Sequence, residues 1–191
     1  APGLTPANLS RVLRSRGIRG LLVSACRDPD ASLDLAWPHF ATVACGYSLV
    51  RPLVDRTTTD YYRAMLMATE KLAGEGCRRI GLCLSPSDDT KVLHLWQSAY
   101  LYFQHGLPAR RRLAIHEVSG DTAAIRACVR TARPDAIISA GCDFPQIYES
   151  MTGRPAPTGI RFVNMNIQHA DARSRGVAQD SCLVGRHACS H

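Results

Sequence analysis

Hydrophobic positions along this chain switch between a helical period and an unbroken apolar run, and the switch is sharpest over residues 61–84. Tyr62, Met65, Leu66, Thr69, Leu72 and Ala73 recur on one face at 3.6 residues per turn, and Gly74 and Gly76 supply a stop. The segment Arg78-Arg79-Ile80-Gly81-Leu82-Cys83-Leu84 then enters a strand that is apolar on both faces, as parallel strands covered by helices are. A helix closed by glycine and followed at once by a buried strand is half of a βαβ unit.

The same alternation runs through the rest of the chain. Thr5 as N-cap with Pro6 at the first helical position opens a helix with Leu9, Val12 and Leu13 on one face, closed by Gly17. A strand is predicted over residues 20–24, a Pro/Asp-rich loop from Asp28, a second strand over 40–45 ending at Gly46, and a loop containing Pro52 before the helix at 60–73. After the strand through Leu84, the polar stretch Ser85-Pro86-Ser87-Asp88-Asp89 predicts a break. A helix over 90–104 follows, with Val92, Leu95, Trp96, Ala99 and Phe103 inward. The pattern continues as strand 113–118, helix 121–132, strand 135–139, helix 143–152 and strand 160–165. This order predicts an α/β fold of parallel sheets with helices on both faces. No internal repeat or low-complexity tract interrupts it.

Composition narrows the classes. With 191 residues the chain holds one large domain or two small lobes, and 46% hydrophobic content is ordinary for a globular protein. No apolar run is long enough to span a membrane, and the start APGLTPANLSR lacks the apolar core of a signal peptide, so a cytoplasmic location with no membrane partner is expected. The eight cysteines are scattered with no C-x-x-C pair, which predicts reduced, mostly buried thiols. The net charge of +7 is carried almost wholly by arginine, since Lys71 and Lys91 are the only lysines. The run Arg110-Arg111-Arg112 reads as a solvated loop in preference to a nucleic-acid patch, because the remaining arginines are dispersed.

Enzymatic motifs are few. There is no Gly-x-Gly-x-x-Gly turn or Walker loop, and Ser24, Ser85 and Ser139 stand in no Gly-x-Ser-x-Gly elbow. Asp88-Asp89 resembles a carboxylate pair, but adjacent residues point apart and the setting before a helix favours capping. Cys182, His187, Cys189 and His191 form a C-x4-H-x-C-x-H cluster that admits a zinc reading, against an ordinary packing helix, which is preferred. No catalytic residue, cofactor or metal is expected.

The segments GIRGLLVS (17–24), FATVACGYS (40–48), GCRRIGLCL (76–84), RPDAIIS (133–139), IRFVNMN (160–166) and GVAQDSCLVGRHA (176–188) together resemble the effector-binding core of the lac/galactose repressor family of bacterial transcription regulators. Their order and approximate spacing match the family over nearly the whole chain. The resemblance implies two Rossmann-like lobes of the periplasmic-binding-protein type I architecture, with a small ligand between them. The first lobe is expected at residues 1–76 and incomplete, the second at 77–175, and a crossover with a helix returning to the first lobe at 176–191. The family's DNA-binding helix-turn-helix domain has no counterpart in these residues. The basic helix from Pro6 runs through a glycine straight into a strand, which a recognition helix does not do. An open sheet edge and exposed apolar surface are therefore expected in the first lobe, with poor solubility or aberrant association as the consequence.

Ligands of open parallel sheets bind beyond the carboxyl ends of the strands. That rule and the resemblance together nominate Ser24, Tyr47, Trp96, Asp143, Asn166 and Gln179 as effector-binding residues. Asp143 stands where the family's strand-end Asn-Asp pair supplies a carboxylate, and it is equally placed to cap the helix that follows. Asn166 stands where the family has an aspartate, and Trp96 where sugar-binding members carry an arginine. An indole there either stacks on a ligand ring or fills core. Gln179 lies where the tail crosses between lobes. The function so implied is an effector-sensing and dimerisation core of a DNA-binding transcriptional regulator, a probable repressor, with a sugar or other metabolite as small-molecule partner. A small flavodoxin-like enzyme and a periplasmic-type solute-binding protein stand as alternatives.

Overall fold

The computed structural model describes residues 5–24, 35–118, 122–130, 132–167 and 175–190. In chain order the elements are helix α1 (Pro6–Ser15), strands β1 (Gly20–Val23), β2 (Ala41–Cys45) and β3 (Asp55–Thr57), helix α2 (Tyr61–Gly74), strand β4 (Ile80–Leu84), helices α3 (Pro86–Lys91) and α4 (Leu95–His105), strand β5 (His116–Glu117), helix α5 (Thr122–Arg130), strand β6 (Ala136–Ala140), helix α6 (Phe144–Thr152), strands β7 (Arg161–Ile167) and β8 (Gly176–Ala178), and helix α7 (Ser181–Cys189). The strands form a three-stranded sheet in the order β1-β2-β3 and a five-stranded sheet in the order β5-β4-β6-β7-β8. Every pairing in both is parallel, as the strand-helix alternation requires.

The chain divides into two compact units: residues up to Thr59 together with those from Asp180 onward, and Asp60–Gln179. The lobe limits expected at 76 and 175 differ from this division for a physical reason at each end. Helix α2 buries Ala64, Met65, Ala68 and Leu72 in the same core as Leu82, Ile138 and Met165 of the five-stranded sheet, so it goes with unit 2. Strand β8 pairs with β7 as that sheet's outermost strand, and the Gln179 N–H bonds the Ile167 carbonyl at 3.2 Å, so the second unit runs on to Gln179. Helix α7 then packs against β2 and β3 in unit 1.

Unit 2 is organised around β4 and β6, each of whose five residues is buried. Ile80, Leu82, Leu84, Ile138 and Ala140 face α2 and α4, while Cys83 and Ile137 on the other face meet Ile125 and Cys128 of α5 and Phe144 of α6. Side chains such as Leu82 and Ile138, both 0% exposed, contribute about 1.5–3 kcal/mol each by burial. In unit 1, Ser10 of α1 accepts the Ala36 N–H at 2.9 Å, and the Thr5 hydroxyl caps α1 by accepting the Asn8 N–H at 3.3 Å. Among the described residues β1 and β3 each have a strand on one side only, and Leu22 and Leu53 are 53% and 85% exposed.

Several boundaries depart from expectation. Ser85 to Asp89 does not break the chain: Pro86 takes the first helical position, Asp88 and Asp89 fall in the positively polarised first turn, and α3 forms. The single helix expected over 90–104 is split, because Leu93 and His94 take positive φ of 56° and 57°. The buried Asp89 carboxylate joins the two pieces, accepting from His94 Nδ1 at 3.0 Å and from the Gln97 N–H, in the first turn of α4, at 3.4 Å. Strand β5 is shorter than expected because the Gln104 side-chain amide occupies both backbone groups of Leu113, at 2.6 Å each, leaving none for a sheet partner. Strand β3, whose Asp-Arg-Thr sequence carries no apolar signal, lay within the expected Pro52 loop. The arginine run forms an exposed turn, with Arg112 donating to the carbonyls of His105 and Leu107. The expected start of the helix at Asp121 and the loop from Asp28 lie outside the described residues.

Asp89→Ala should remove the joint between α3 and α4 and strand the His94 and Gln97 donors. A loss of about 2 kcal/mol is expected, seen as a lower urea midpoint at unchanged slope. An unaltered midpoint would show that Asp89 does not hold the joint.

Candidate functional site

The carboxyl ends of parallel strands gather backbone donors and helix N-termini at one edge of a sheet. In unit 2 that edge is formed by Ser85 after β4, residues 141–143 after β6 and the last residues of β7. Ser85 donates its N–H to the Ala140 carbonyl at 3.0 Å and its hydroxyl to Asp88 Oδ2 at 2.8 Å. Lys91 Nζ lies 2.9 Å from the other oxygen of the same carboxylate. Gly141 has φ +70°, and a Cβ there would fall 2.6 Å from the Asp88 Cβ. Glycine is thus required twice over, by conformation and by the seating of this loop against the first turn of α3.

Asp143, exposed at the end of this loop, caps α6 by accepting the Gln146 N–H on Oδ1 at 3.2 Å. Pro145 near the helix start assists the same turn. Asn166 is exposed near the end of β7, its N–H bonded to Asn164 Oδ1 at 2.9 Å. Gln179 is held by the neighbouring strand, Nε2 donating to the Met165 carbonyl at 3.1 Å, so its amide serves first to fasten β8 to β7. Asp143 and Asn166 therefore lie at the same carboxyl edge of the five-stranded sheet.

Unit 1 has its own carboxyl edge. Ser24 is exposed directly after β1. Tyr47 follows Gly46, whose φ of +91° turns the chain out of β2. The Arg56 guanidinium lies 5.6 Å from the centre of the Tyr47 ring and donates to the carbonyls of Gly46 and Leu49 at 3.3 Å each. Arg56 thus shapes this loop, and no motif in the sequence pointed to it; the only available signal was an arginine in a strand-length polar triplet beside a strand-end tyrosine.

Trp96 is corrected. It is 3% exposed, its ring set edge-on to Tyr61 at 5.4 Å within the core shared by α2 and α4. Trp96, Ala99 and Tyr100 of α4 are buried, as the expected inward positions Trp96 and Ala99 required. The indole fills core, and no ligand surface is available on it. The capping role expected for Asp88 omits its contacts: the carboxylate binds Ser85 and Lys91, and no motif singled out Lys91.

Burial sets the remaining chemistry. Desolvation pushes the Tyr100 hydroxyl well above its ordinary range while it donates to the Ile80 carbonyl at 2.9 Å, and it lowers the His116 imidazole. Seven cysteines are free thiols among the described residues, of which Cys182 and Cys189 on α7 are exposed. Among the described residues no group of three or more His, Cys, Asp or Glu is placed to hold a metal ion, and His191 of the C-x4-H-x-C-x-H cluster lies outside them. No helix among them is long and apolar enough to cross a membrane. A groove of about 850 Å³ between α2 and the start of β7 and β8, lined by Met67, Leu72, Arg161, Val163, Arg175 and Val177, lies away from the carboxyl edge.

No family model and no curated protein matches this sequence. Solved structures do. A complex of the transcriptional regulator CelR with cellobiose is 22% identical with a TM-score of 0.63, covering 95% of this chain and 60% of its own. A regulatory protein of the LacI family from Chloroflexus aggregans is 20% identical with a TM-score of 0.64, covering 96% of this chain and 71% of its own. A LacI family transcriptional regulator from Lactobacillus casei with bound glucose is 16% identical with a TM-score of 0.64, covering 95% and 74%. This chain thus spans less than two thirds of the first of these and under three quarters of the others. Its fold is the type I periplasmic-binding-protein-like α/β fold of LacI-family effector domains.

Proposed function

We propose that this chain is the effector-sensing core of a DNA-binding transcriptional regulator, working as a cytoplasmic homodimer and reading DNA through a helix-turn-helix domain outside these residues. The observation that carries the reading is the fold shared over 95% of the chain with regulators, among them complexes with cellobiose and glucose. The effector class supported is a polyhydroxylated small molecule of sugar type. Asp143 and Asn166 are its proposed contacts in unit 2, and Ser24 and Tyr47, at the carboxyl edge of unit 1, are the corresponding candidates of that unit. Gln179 is proposed in a supporting place, because its amide already serves the β7 backbone.

Such a sensor needs no bond-making chemistry. A ligand that binds one of two pre-existing states more tightly shifts their populations by its differential affinity, and linkage makes DNA affinity change by the same factor. A coupling of about 1–3 kcal/mol is typical, enough to change operator occupancy roughly 5- to 150-fold.

Asp143 separates ligand contact from mere capping. Asp143→Ala should cost about 1 kcal/mol of stability through the lost cap, whereas Asp143→Ser should restore most of it, since serine caps as well as aspartate. If Asp143 also holds ligand hydroxyls, both variants should lose the thermal stabilisation that a panel of mono- and disaccharides gives the parent protein. Retention of that stabilisation in Asp143→Ser would limit Asp143 to the cap.

The regulatory reading itself is tested on the full-length protein. A compound found in that screen should change the mobility shift of the protein's upstream DNA by roughly 5-fold or more in half-saturating concentration. Turnover of the compound with no effect on DNA binding would replace the sensor with an enzyme.

A further inference from the structure

Three thiols share the face of the five-stranded sheet that α5 and α6 cover. Cys83 on β4 and Cys128 on α5 are 0% and 1% exposed, while Cys142, in the loop after β6, is half-buried and reachable from solvent. Cys83 pairs in register with Ser139, and the left-handed turn at Gly141 brings the next residue back onto Cys83: Cys142 Sγ donates to the Cys83 carbonyl at 3.6 Å. The two thiols lie in one packed cluster with Cys128. The proposed sensing role uses none of this.

We propose that Cys142 and Cys83 form an oxidisable thiol pair at the carboxyl edge of unit 2, in which Cys142 reacts with a hydroperoxide and Cys83 closes a disulfide. In the first step the Cys142 thiolate attacks a peroxide oxygen. The O–O bond breaks, the departing alkoxide or hydroxide takes a proton from solvent, and Cys142 becomes a sulfenic acid. In the second step the Cys83 sulfur gives up its proton and attacks the sulfenic sulfur; the S–S bond forms, the S–O bond breaks, and the leaving hydroxide takes that proton as water. Two thiols lose two electrons in all, and the hydroperoxide is the group reduced.

The division of roles follows first from exposure, since Cys142 is half-buried whereas Cys83 is 0% exposed. The Cys142 thiol lies below the ordinary thiol range, chiefly because the Cys83 S–H stabilises its thiolate, with a backbone bond at Ala140 acting the same way; burial and the nearby Asp143 and Asp88 carboxylates oppose the shift. Cys83 is held far above that range by its hydrogen bond to Cys142 and by burial, so it keeps its proton until a sulfenic acid forms beside it. Cys128 is pushed up to about 12 by burial and stays inert. The disulfide would tie β4 to the loop that carries Asp143.

Trypsin makes the test direct. Residues 80–91 form a peptide with Cys83 as its sole cysteine, residues 131–161 one with Cys142 alone, and residues 127–130 one with Cys128 alone. The parent protein, treated with hydrogen peroxide, blocked with N-ethylmaleimide and digested, should yield the 80–91 peptide joined to the 131–161 peptide, separable by reductant. The rate of Cys142 loss should rise with pH and level off below the ordinary thiol range. Cys142→Ser should abolish the joined peptide and slow loss of the Cys83 thiol by about ten-fold or more. Cys83→Ala should leave a Cys142 sulfenic acid that dimedone traps, and Cys128→Ala should leave the link unchanged. The proposal is overturned if the parent protein gives no such link while Cys182 and Cys189 oxidise, or if Cys83 links to Cys128 instead.

Discussion

The arrangement of unit 2 depends on one constraint, the complete burial of the paired strands β4 and β6. A parallel pair buried on both faces needs a helical layer on each side and cannot be closed by a tight hairpin. Helices α2 and α4 therefore cover one face and α5 and α6 the other. With both faces and the crossovers occupied by apolar packing, polar chemistry is driven to the ends of the strands. The crossovers return the chain to the amino ends, so the carboxyl ends are where loops leave the sheet and helix N-termini begin. Asp143, Ser85 and Asn166 stand there because the sheet leaves polar groups few other places.

This also explains what could be read from sequence. Runs such as Ile80-Gly81-Leu82-Cys83-Leu84 and Ala136-Ile137-Ile138 have no polar position and announce a two-sided strand, and caps at Thr5 and Asp143 announce helix starts through chemistry local to a few residues. These features were legible. The features that were not depend on partners distant in sequence. Strand β3 is a polar triplet that becomes a strand only because β2 offers a free edge, and Leu113 leaves the sheet because Gln104, on the preceding helix, takes its backbone groups. The assignment of α2 to unit 2 likewise reflects which apolar surface it covers, and its sequence position between the sheets is neutral on that question.

The joint between α3 and α4 shows how a local departure is held in place by side chains on both sides of it. An unbroken helix over 90–104 carries its side chains in one phase from start to finish. Two successive residues in the left-handed region, Leu93 and His94, end that phase, and such a conformation costs roughly 1–2 kcal/mol per non-glycine residue. The cost is offset by what the break permits. Asp89 is buried with its carboxylate bonded to His94 and Gln97 on the second helix, and Trp96 and Tyr100 enter the core beside Tyr61 and Leu82. Within α3, Asp88 meets Ser85 and Lys91 at three-residue spacing, so the edge carries a charged pair.

The carboxyl edge consequently does two jobs with one set of groups. The Asp88 carboxylate engages a hydroxyl and an ammonium and also bounds the space that Gly141 must leave empty. Asp143 spends one carboxylate oxygen on the first turn of α6. At the proposed site a ligand hydroxyl would meet groups already oriented by the fold, so little ordering entropy would be lost on binding, which is the advantage of preorganisation. The reverse also holds. Because Asp143 caps the helix whose Phe144 is wholly buried against Phe162, a ligand that strengthens or weakens its hold on Asp143 acts on the packing of β7 and α6 as well. In a fold whose polar groups are concentrated at strand ends, occupancy of the proposed site would be linked to the stability of the layers beneath it by the same few side chains, a link that the proposed sensing role requires.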